Sequence, residues 1–230
     1  MQVVILAGGL GTRLGTLTCT TPKPMVPVRG VPYLEHQLRL LVQQGLTDVV
    51  LLTGYLGEQI EEYFGDGGRL GLRMRYSREP QPLGTGGALR YAQALLDEAF
   101  LVIYGDSYLR IDYGAVGHWL ARSAAVMAVY RDPFGETNVR PNVELDVNGA
   151  VLRYDKRAAG DPGLEYIEAG VLALRRSVLG LIAPAGVVSL EEQIFPILIE
   201  RRQLWGFPTT QRFYDMGTAE RLRAIEAYLA

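Results

Sequence analysis

The sequence begins with a continuous apolar run that passes directly into a glycine-rich loop. The run, Val3 to Ala7, has no polar residue that would mark a face toward water. Strands of this kind are buried on both faces, as in parallel sheets that helices cover on each side. The loop that follows reads Gly8-Gly9-Leu10-Gly11-Thr12-Arg13. In an open parallel sheet, ligands bind beyond the carboxyl ends of the strands, so this loop would lie at a ligand site.

Strand-like and helix-like segments alternate along the first 130 residues. Further buried strands are predicted at 48–53, 99–104 and 124–130, with helical patterns between them. This alternation predicts an α/β fold with a Rossmann-like, mostly parallel sheet and helices on both faces. Beyond Arg131, alternating residues flank Asn148-Gly149, a strong hairpin signal. We therefore expect a small antiparallel insert or lid in the second half.

Composition excludes several classes of protein. The chain has 230 residues and a net charge of −2, which argues against a nucleic-acid platform. Its one cysteine, Cys19, cannot form an internal disulfide, so nothing points to secretion. The most membrane-like stretch, 178–190, contains glycine and proline and is shorter than the roughly 20 residues that a span needs. We expect a cytoplasmic protein without nucleic-acid or membrane partners.

The glycine loop suits phosphate but fits neither of two common phosphate motifs. Closely spaced glycines let the backbone approach a ligand and direct N–H groups at anionic oxygens. A dinucleotide fingerprint needs a third glycine, where this chain has Leu14, and a Walker loop needs Gly-Lys-Ser/Thr, where it has Gly11-Thr12-Arg13. A plain strand-to-helix turn remains the alternative for the glycine cluster alone.

Lys23 lies between two prolines, with a third close behind. Proline fixes its own φ, so the backbone of such a segment is ordered before a ligand arrives and less entropy is lost on binding. A solvated surface lysine is the alternative, but the glycine loop and Arg13 upstream favour a phosphate contact.

Two segments together carry a family resemblance. They are Leu6-Ala7-Gly8-Gly9-Leu10-Gly11-Thr12-Arg13-Leu14 and Pro22-Lys23-Pro24-Met25-Val26-Pro27-Val28. This pair resembles the amino-terminal signature of the sugar-1-phosphate nucleotidylyltransferases, or NDP-sugar pyrophosphorylases. The resemblance implies a nucleotide-diphospho-sugar transferase fold in a single domain, 1–230. Residues 1–131 would mainly bind the nucleotide, and 132–230 would mainly supply the sugar site, a lid and closing elements.

The resemblance also assigns the first half of the site. Arg13 would contact the leaving pyrophosphate and Lys23 a phosphate near the reacting centre, which makes these two the expected catalytic residues. The expected nucleotide-binding residues are Leu6, Ala7, Gly8, Gly9, Gly11, Thr12, Gly84, Thr85 and Asp106.

Two aspartates are candidate metal ligands. Asp106 ends an apolar strand, and Asp215 lies in Tyr214-Asp215-Met216-Gly217. Taken alone, each is most simply a turn or capping residue. Beside a phosphate loop they suggest Mg²⁺, which uses one or two carboxylates together with phosphate oxygens. The resemblance places metal ligands at both positions.

Base and sugar recognition are assigned to later segments. The segment from Glu79 to Ala88 resembles the family's base-recognition loop. Its sequence Pro-Leu-Gly-Thr-Gly-Gly is most similar to that of the mannose- and heptose-1-phosphate guanylyltransferase branch. A normal helix start with Thr85 as its N-cap is the alternative. The expected sugar-phosphate-binding residues are Asn142, Lys156 and Glu168.

The sequence thus favours an enzyme that converts a nucleoside triphosphate and a sugar 1-phosphate into an NDP-sugar and pyrophosphate. GTP and a manno-configured hexose or heptose 1-phosphate are the favoured pair, with a role in cell-surface polysaccharide biosynthesis. One alternative is transfer from CTP, UTP or dTTP to another sugar phosphate or to a non-sugar phosphate such as phosphocholine. Another is a non-catalytic nucleotide-binding regulatory module.

Overall fold

The computed structural model describes residues 1–157 and 161–230, with Arg13 described by its backbone alone. The strands are β1 (Gln2–Leu6), β2 (Pro27–Val28), β3 (Val31–Pro32), β4 (Asp48–Thr53), β5 (Arg73–Arg78), β6 (Ala99–Tyr104), β7 (Ser107–Tyr108), β8 (Ala125–Tyr130), β9 (Val143–Leu145), β10 (Val151–Tyr154), β11 (Ile167–Arg175), β12 (Leu204–Thr209) and β13 (Tyr214–Asp215). The α-helices are α1 (Tyr33–Gln43), α2 (Gly57–Phe64), α3 (Gly84–Tyr91), α4 (Tyr113–His118), α5 (Phe195–Glu200) and α6 (Ala219–Tyr228). Shorter 3₁₀ turns and one π-helical turn, Leu190–Ile194, connect them.

A seven-stranded sheet runs through the described chain in the order β12-β8-β11-β6-β1-β4-β5. Strand β11 is antiparallel to β6 and β8, and the other neighbouring pairs are parallel. The prediction of a mostly parallel sheet is therefore confirmed. Because β11 and β12 come from the second half of the chain, both halves build the same sheet.

Helices cover both faces of the sheet, as the apolar run of β1 predicts. Val3 and Ile5 belong to one core cluster, which also receives Leu34 of α1 and Ile60 of α2. Val4 points to the opposite cluster, which includes Leu89 of α3 and Leu198 of α5. Successive residues of a strand face opposite sides, so a strand between two helical layers needs apolar residues at every position.

The predicted antiparallel insert is the hairpin of β9 and β10. Its turn carries Gly149, which has φ +94°. A bridge between Ala150 and Trp205 fastens the hairpin beside β12. Within residues 1–157 and 161–230, no helix is long and apolar enough to cross a membrane.

Candidate active site

The carboxyl edge of the sheet carries a cleft of about 590 Å³. Strands β1 and β6 are parallel neighbours, with Leu6 paired to Tyr104, so the glycine loop and Asp106 leave the sheet side by side. Every residue expected to bind nucleotide lines this cleft: Leu6, Ala7, Gly8, Gly9, Gly11, Thr12, Gly84, Thr85 and Asp106. Lys23 and Lys156 line it too. The predicted contact of the Arg13 side chain lies outside the described part of the structure.

The glycine loop is folded tightly against Lys23. Gly11 has φ +65°, and a Cβ at this position would lie 2.9 Å from Cβ of Lys23. Glycine is required here both by the left-handed backbone and by this close approach. The hydroxyl of Thr18 donates to the carbonyl oxygens of Gly11 (3.1 Å) and Gly15 (3.2 Å), which holds the end of the loop.

Lys23 forms an ion pair with Asp106. Its ammonium group donates a hydrogen bond to Oδ2 of Asp106, and only 11% of the lysine side chain is exposed. The backbone carbonyl of Asp106 accepts from the Tyr33 hydroxyl (3.1 Å) and from the amide of Met216 (3.1 Å). These two contacts fix the backbone of Asp106 at the edge of the cleft.

Asp215 is brought beside Asp106 by a short two-stranded ladder. Strand β13 pairs with β7 so that Asp215 lies opposite Ser107. Both oxygens of Asp215 accept from Nη1 of Arg221, at 3.3 and 3.2 Å, and Oδ1 also accepts from the Gly217 amide at 2.6 Å. The buried Tyr33 lies close enough to both acids to be affected by their charge. Burial raises the pKa of its hydroxyl, and the negative charges of Asp106 and Asp215 raise that pKa further.

Asp106 and Asp215 carry oxygen donors of the kind that a divalent metal ion takes when phosphate oxygens supply further ligands. Within the described residues, no group of three or more His, Cys, Asp or Glu side chains could hold a metal. Mg²⁺ takes oxygen ligands and is often held by one or two carboxylates plus substrate phosphates. Asp106 lines the cleft, whereas Asp215 stands behind the lining residue Gly217. Each carboxylate now faces a cation, Lys23 or Arg221, which marks both as sites that favour positive charge.

The alternative role of Thr85 as a helix cap is wrong. Helix α3 begins one residue earlier, at Gly84, and its N-cap position is Leu83. The Thr85 hydroxyl donates instead to Glu191 (2.6 Å) and accepts from the amide of Leu190 (2.8 Å).

The first turn of α3 is also less open to a ligand than a free helix terminus. The amides of Gly86 and Gly87 donate to the carbonyl of Val188, at 2.8 and 3.1 Å. Because this segment supplies the acceptor, those two N–H groups are already satisfied.

Of the three residues expected to bind the sugar phosphate, Lys156 is the one that lines the cleft. Its ammonium nitrogen lies 3.5 Å from Oε2 of Glu168. Glu168 is buried behind it, and its backbone amide donates to Oδ1 of Asn142 at 2.9 Å. Burial raises the pKa of Glu168, the charge of Lys156 opposes this rise, and the charge of Glu191 adds to it. The structure therefore groups Glu168 with Lys156, while the side chain of Asn142 supports the backbone of Glu168.

Sequence reasoning missed Glu191, which also lines the cleft. It receives hydrogen bonds from Thr85 (2.6 Å), Tyr104 (2.7 Å) and Ser189 (2.8 Å). The local sequence, Ser189-Leu190-Glu191-Glu192, indicates a helix start, and Ser189 does cap the turn. Nothing in that pattern distinguishes Glu191, whose side chain is largely covered, from the exposed Glu192.

One feature of the composition does point to the cleft. The sequence contains 23 lysine and arginine residues, but Lys23 and Lys156 are its only lysines. Both line the cleft. A lysine ammonium is a compact point charge with three donors, whereas arginine presents a planar fork. Both lysine ammonium groups of the chain thus lie at one cavity, and arginine supplies the charge at every other position counted as lysine or arginine.

Comparison with known proteins gives a family and close relatives. The sequence matches the Nucleotidyl transferase family over residues 2–229. It is 32% identical over 223 residues to the mannose-1-phosphate guanylyltransferase of Mycobacterium tuberculosis, which covers 96% of this chain and 62% of that protein. It is 34% identical over 196 residues to the D-glycero-alpha-D-manno-heptose 1-phosphate guanylyltransferase of Campylobacter jejuni, which covers 84% of each. The chain thus spans less than two thirds of the first relative and most of the second.

A solved structure shares the whole fold. HddC from Yersinia pseudotuberculosis, complexed with GMP-PN, matches with a TM-score of 0.84 and 26% sequence identity. The match covers 100% of this chain and 99% of that one.

Proposed function

This chain belongs to the nucleotidyl transferase family, and we propose that it transfers the guanylyl group of GTP to a manno-configured hexose or heptose 1-phosphate. The observation that carries this proposal is the shared cleft, where the glycine loop, Lys23, Asp106 and Lys156 meet at the carboxyl edge of the sheet. Two relatives named guanylyltransferases, for mannose 1-phosphate and for D-glycero-α-D-manno-heptose 1-phosphate, support the choice of base and sugar.

In the reaction, an oxygen of the sugar phosphate attacks the α-phosphorus of GTP. A new bond forms between that oxygen and phosphorus, the bond from the α-phosphorus to its bridging oxygen breaks, and pyrophosphate leaves. The triphosphate carries a charge of about −4 and the sugar phosphate about −2, so their approach needs compensation. Lys23 and Arg13 would stabilise the charge that develops toward the leaving group. Glycine-loop amides would hold the phosphates.

Members of this family generally use a divalent metal ion. We assign the ion as Mg²⁺ and its protein ligands as Asp106 and Asp215. When bound, Mg²⁺ would neutralise phosphate charge at the reacting centre. The present partners of the two carboxylates, Lys23 and Arg221, would then be free to contact other anions.

We assign the sugar phosphate to the side of the cleft formed by residues 132–230, and the nucleotide mainly to residues 1–131. Lys156 would contact the phosphate of the sugar. Glu168, which is buried behind Lys156, would act on the sugar site through its ion pair with that lysine. The contact between Asn142 and the backbone of Glu168 supports an indirect role for Asn142 in keeping that acid in place. We place this nucleotide-sugar synthesis in the cytoplasm, where both substrates would be made.

A substrate matrix tests the proposal. Four nucleoside triphosphates are each paired with mannose, glucose and heptose 1-phosphates and with phosphocholine, and pyrophosphate release is measured. GTP with a manno-configured 1-phosphate should give the highest rate. Faster release with another pair would replace the assigned substrates, and GTP binding without release for any acceptor would favour a regulatory module.

A further inference from the structure

Glu191 joins elements from both sides of the cleft. Its carboxylate accepts hydrogen bonds from Thr85 near the start of α3 and from Tyr104 at the end of β6, at 2.6 and 2.7 Å. Thr85 already accepts from the Leu190 amide, so its own hydroxyl proton is directed at Glu191. The Glu191 side chain is 12% exposed, and its open side faces the cleft.

Lys156 lies within ion-pair distance of this carboxylate. The lysine follows β10 in an exposed turn, and about half of its side chain is exposed. Its ammonium nitrogen lies 3.9 Å from Oε1 of Glu191 and 3.5 Å from Oε2 of Glu168. The aromatic rings of Tyr154 and Tyr104 lie 5.6 and 6.0 Å away, close enough for cation–π attraction. The ammonium group is therefore held by two acids and two rings.

Glu191 is the acid of this pair that carries negative charge most readily. Burial raises the pKa of Glu168, and the neighbouring charge of Glu191 raises it further. Burial would also raise the pKa of Glu191, but the hydrogen bond from Thr85, the charge of Lys156 and the hydrogen bond from Tyr104 outweigh it and lower the pKa. Lys156 thus has one firmly ionised partner.

We infer that Glu191 is a positioning residue that fixes the Lys156 ammonium group in the cleft through its charge and the Thr85 hydroxyl through a hydrogen bond. It thereby links the sugar-phosphate side of the cleft to the nucleotide side. The inference rests on the proposed function for the roles of those two sides. The geometry of the link itself is independent of which substrates bind.

The two-lysine composition allows a direct test without activity. Protein labelled with ¹⁵N-lysine has just two side-chain ammonium groups, and Lys156→Arg assigns their signals. In Glu191→Gln the signal of Lys156 should shift and its exchange with water should accelerate, while the signal of Lys23 stays in place. The matched control is Glu192→Gln, which removes the same charge from the next residue, where the side chain is 64% exposed and pairs with Arg157.

A second variant tests the link from its other end. Thr85→Val removes the donor to Glu191 without a contact to Lys156. The Lys156 signal should move in this variant as well, since Glu191 loses one of its anchors. Because the substitution is conservative in size, it also serves if Glu191→Gln fails to fold. An unchanged Lys156 signal in Thr85→Val would show that the two sides are not linked through Glu191.

Binding measurements separate the charge of Glu191 from its hydrogen bond. Glu191→Gln keeps an acceptor oxygen but loses the charge. The Kd for mannose 1-phosphate should therefore rise roughly tenfold, which corresponds to losing one of the weaker hydrogen bonds to a charged group. The Kd for GTP should stay within about twofold of wild type. Glu191→Ala should weaken both.

If Glu191→Gln leaves the Lys156 signal and mannose 1-phosphate binding as they are in Glu192→Gln, the inference is wrong. If the wild-type protein makes no nucleotide sugar, the proposed function fails, but the Lys156 signal still decides whether Glu191 positions the lysine.

Discussion

Lys23 donates a hydrogen bond to the carboxylate of Asp106 and joins the proline-spaced segment to the end of β6. This ion pair brings a cation and an anion into contact at the wall of the cleft. The lysine is already in place when a triphosphate arrives, since Gly11 packs against its stem and little of it is exposed.

Loss of Lys23 should therefore lower turnover strongly. We expect Lys23→Ala to reduce kcat by ~10²–10³, the effect of removing one preorganised charge stabiliser. Lys23→Arg should recover part of the loss, because charge is restored but the planar guanidinium group cannot occupy the same position. Steady-state pyrophosphate release measures both. A near-normal kcat for Lys23→Ala would exclude the assigned role.

Metal dependence is the second prediction. Chelation should stop pyrophosphate release, and Mg²⁺ should restore it. In electron paramagnetic resonance titrations, Asp106→Asn and Asp215→Asn should bind Mn²⁺ roughly tenfold or more weakly, since even loss of a residue that only supports a ligand costs 10–100-fold. Asp112→Asn is the control: Asp112 caps α4, and asparagine caps equally well. Equal Mn²⁺ binding by all three variants would place the metal elsewhere.

Gly170→Ala should destabilise the protein and disturb the site together. Gly170 has φ +76°, and a Cβ there would lie 2.2 Å from Oγ of Ser107. The left-handed backbone alone costs a non-glycine residue about 1–2 kcal/mol, so we expect the free energy of unfolding to fall by at least ~2 kcal/mol. The side chain of Ser107 must also shift. Because Ser107 directly follows Asp106 in the chain, this shift should disturb Asp106 as well.

The control for this variant is Gly180→Ala, because a Cβ at Gly180 meets no atom within 4 Å. Urea unfolding and pyrophosphate release are measured on both. If Gly170→Ala unfolds like Gly180→Ala, the close contact with Ser107 is not real.

Glu168 and Glu191 should make opposite contributions to the pH dependence of the free energy of unfolding. Folding raises the pKa of Glu168 above its ordinary value of 4.5. Its contribution to stability is then fully present below pH 4.5 and is lost as the pH rises through the folded pKa. Glu168→Gln should remove this loss, so the free energy of unfolding of this variant should increase relative to that of wild type as the pH rises above 4.5.

Glu191, whose pKa is lowered, should behave in the opposite way: its contribution is lost as the pH falls below 4.5. Glu165→Gln, at an exposed acid paired with Arg131, is the control and should follow wild type. Parallel pH curves for wild type and Glu168→Gln would contradict the assigned shift.

Much of the fold follows from local sequence. The apolar run of β1 required burial on both faces, and strands β4 and β6 begin and end where the pattern predicts. The direction of β11 did not follow, because its apolar run indicates burial on both faces, and a strand buried in this way can run in either direction. Its position between β6 and β8 depends on contacts distant in sequence.

The residues of the site also differ in how far the local sequence predicts them. Lys23 and Asp106 stand in local patterns that mark a rigid segment and a strand end, so each could be singled out from the sequence, but their ion pair could not. Glu191 could not, because its neighbours Thr85 and Tyr104 are 106 and 87 residues away in sequence. Thr85 was open to misassignment for the same reason: a threonine at a helix start is usually a cap, and here a distant carboxylate takes its hydroxyl.

The most direct test of the account follows the α-phosphate. The protein is incubated with Mg²⁺, mannose or heptose 1-phosphate, and GTP labelled with ³²P at the α-position. We predict that the label moves into GDP-sugar while unlabelled pyrophosphate is released in equal amount. Label that remains in GTP, or that appears only in GMP or GDP with every sugar phosphate, would contradict nucleotidyl transfer in this cleft.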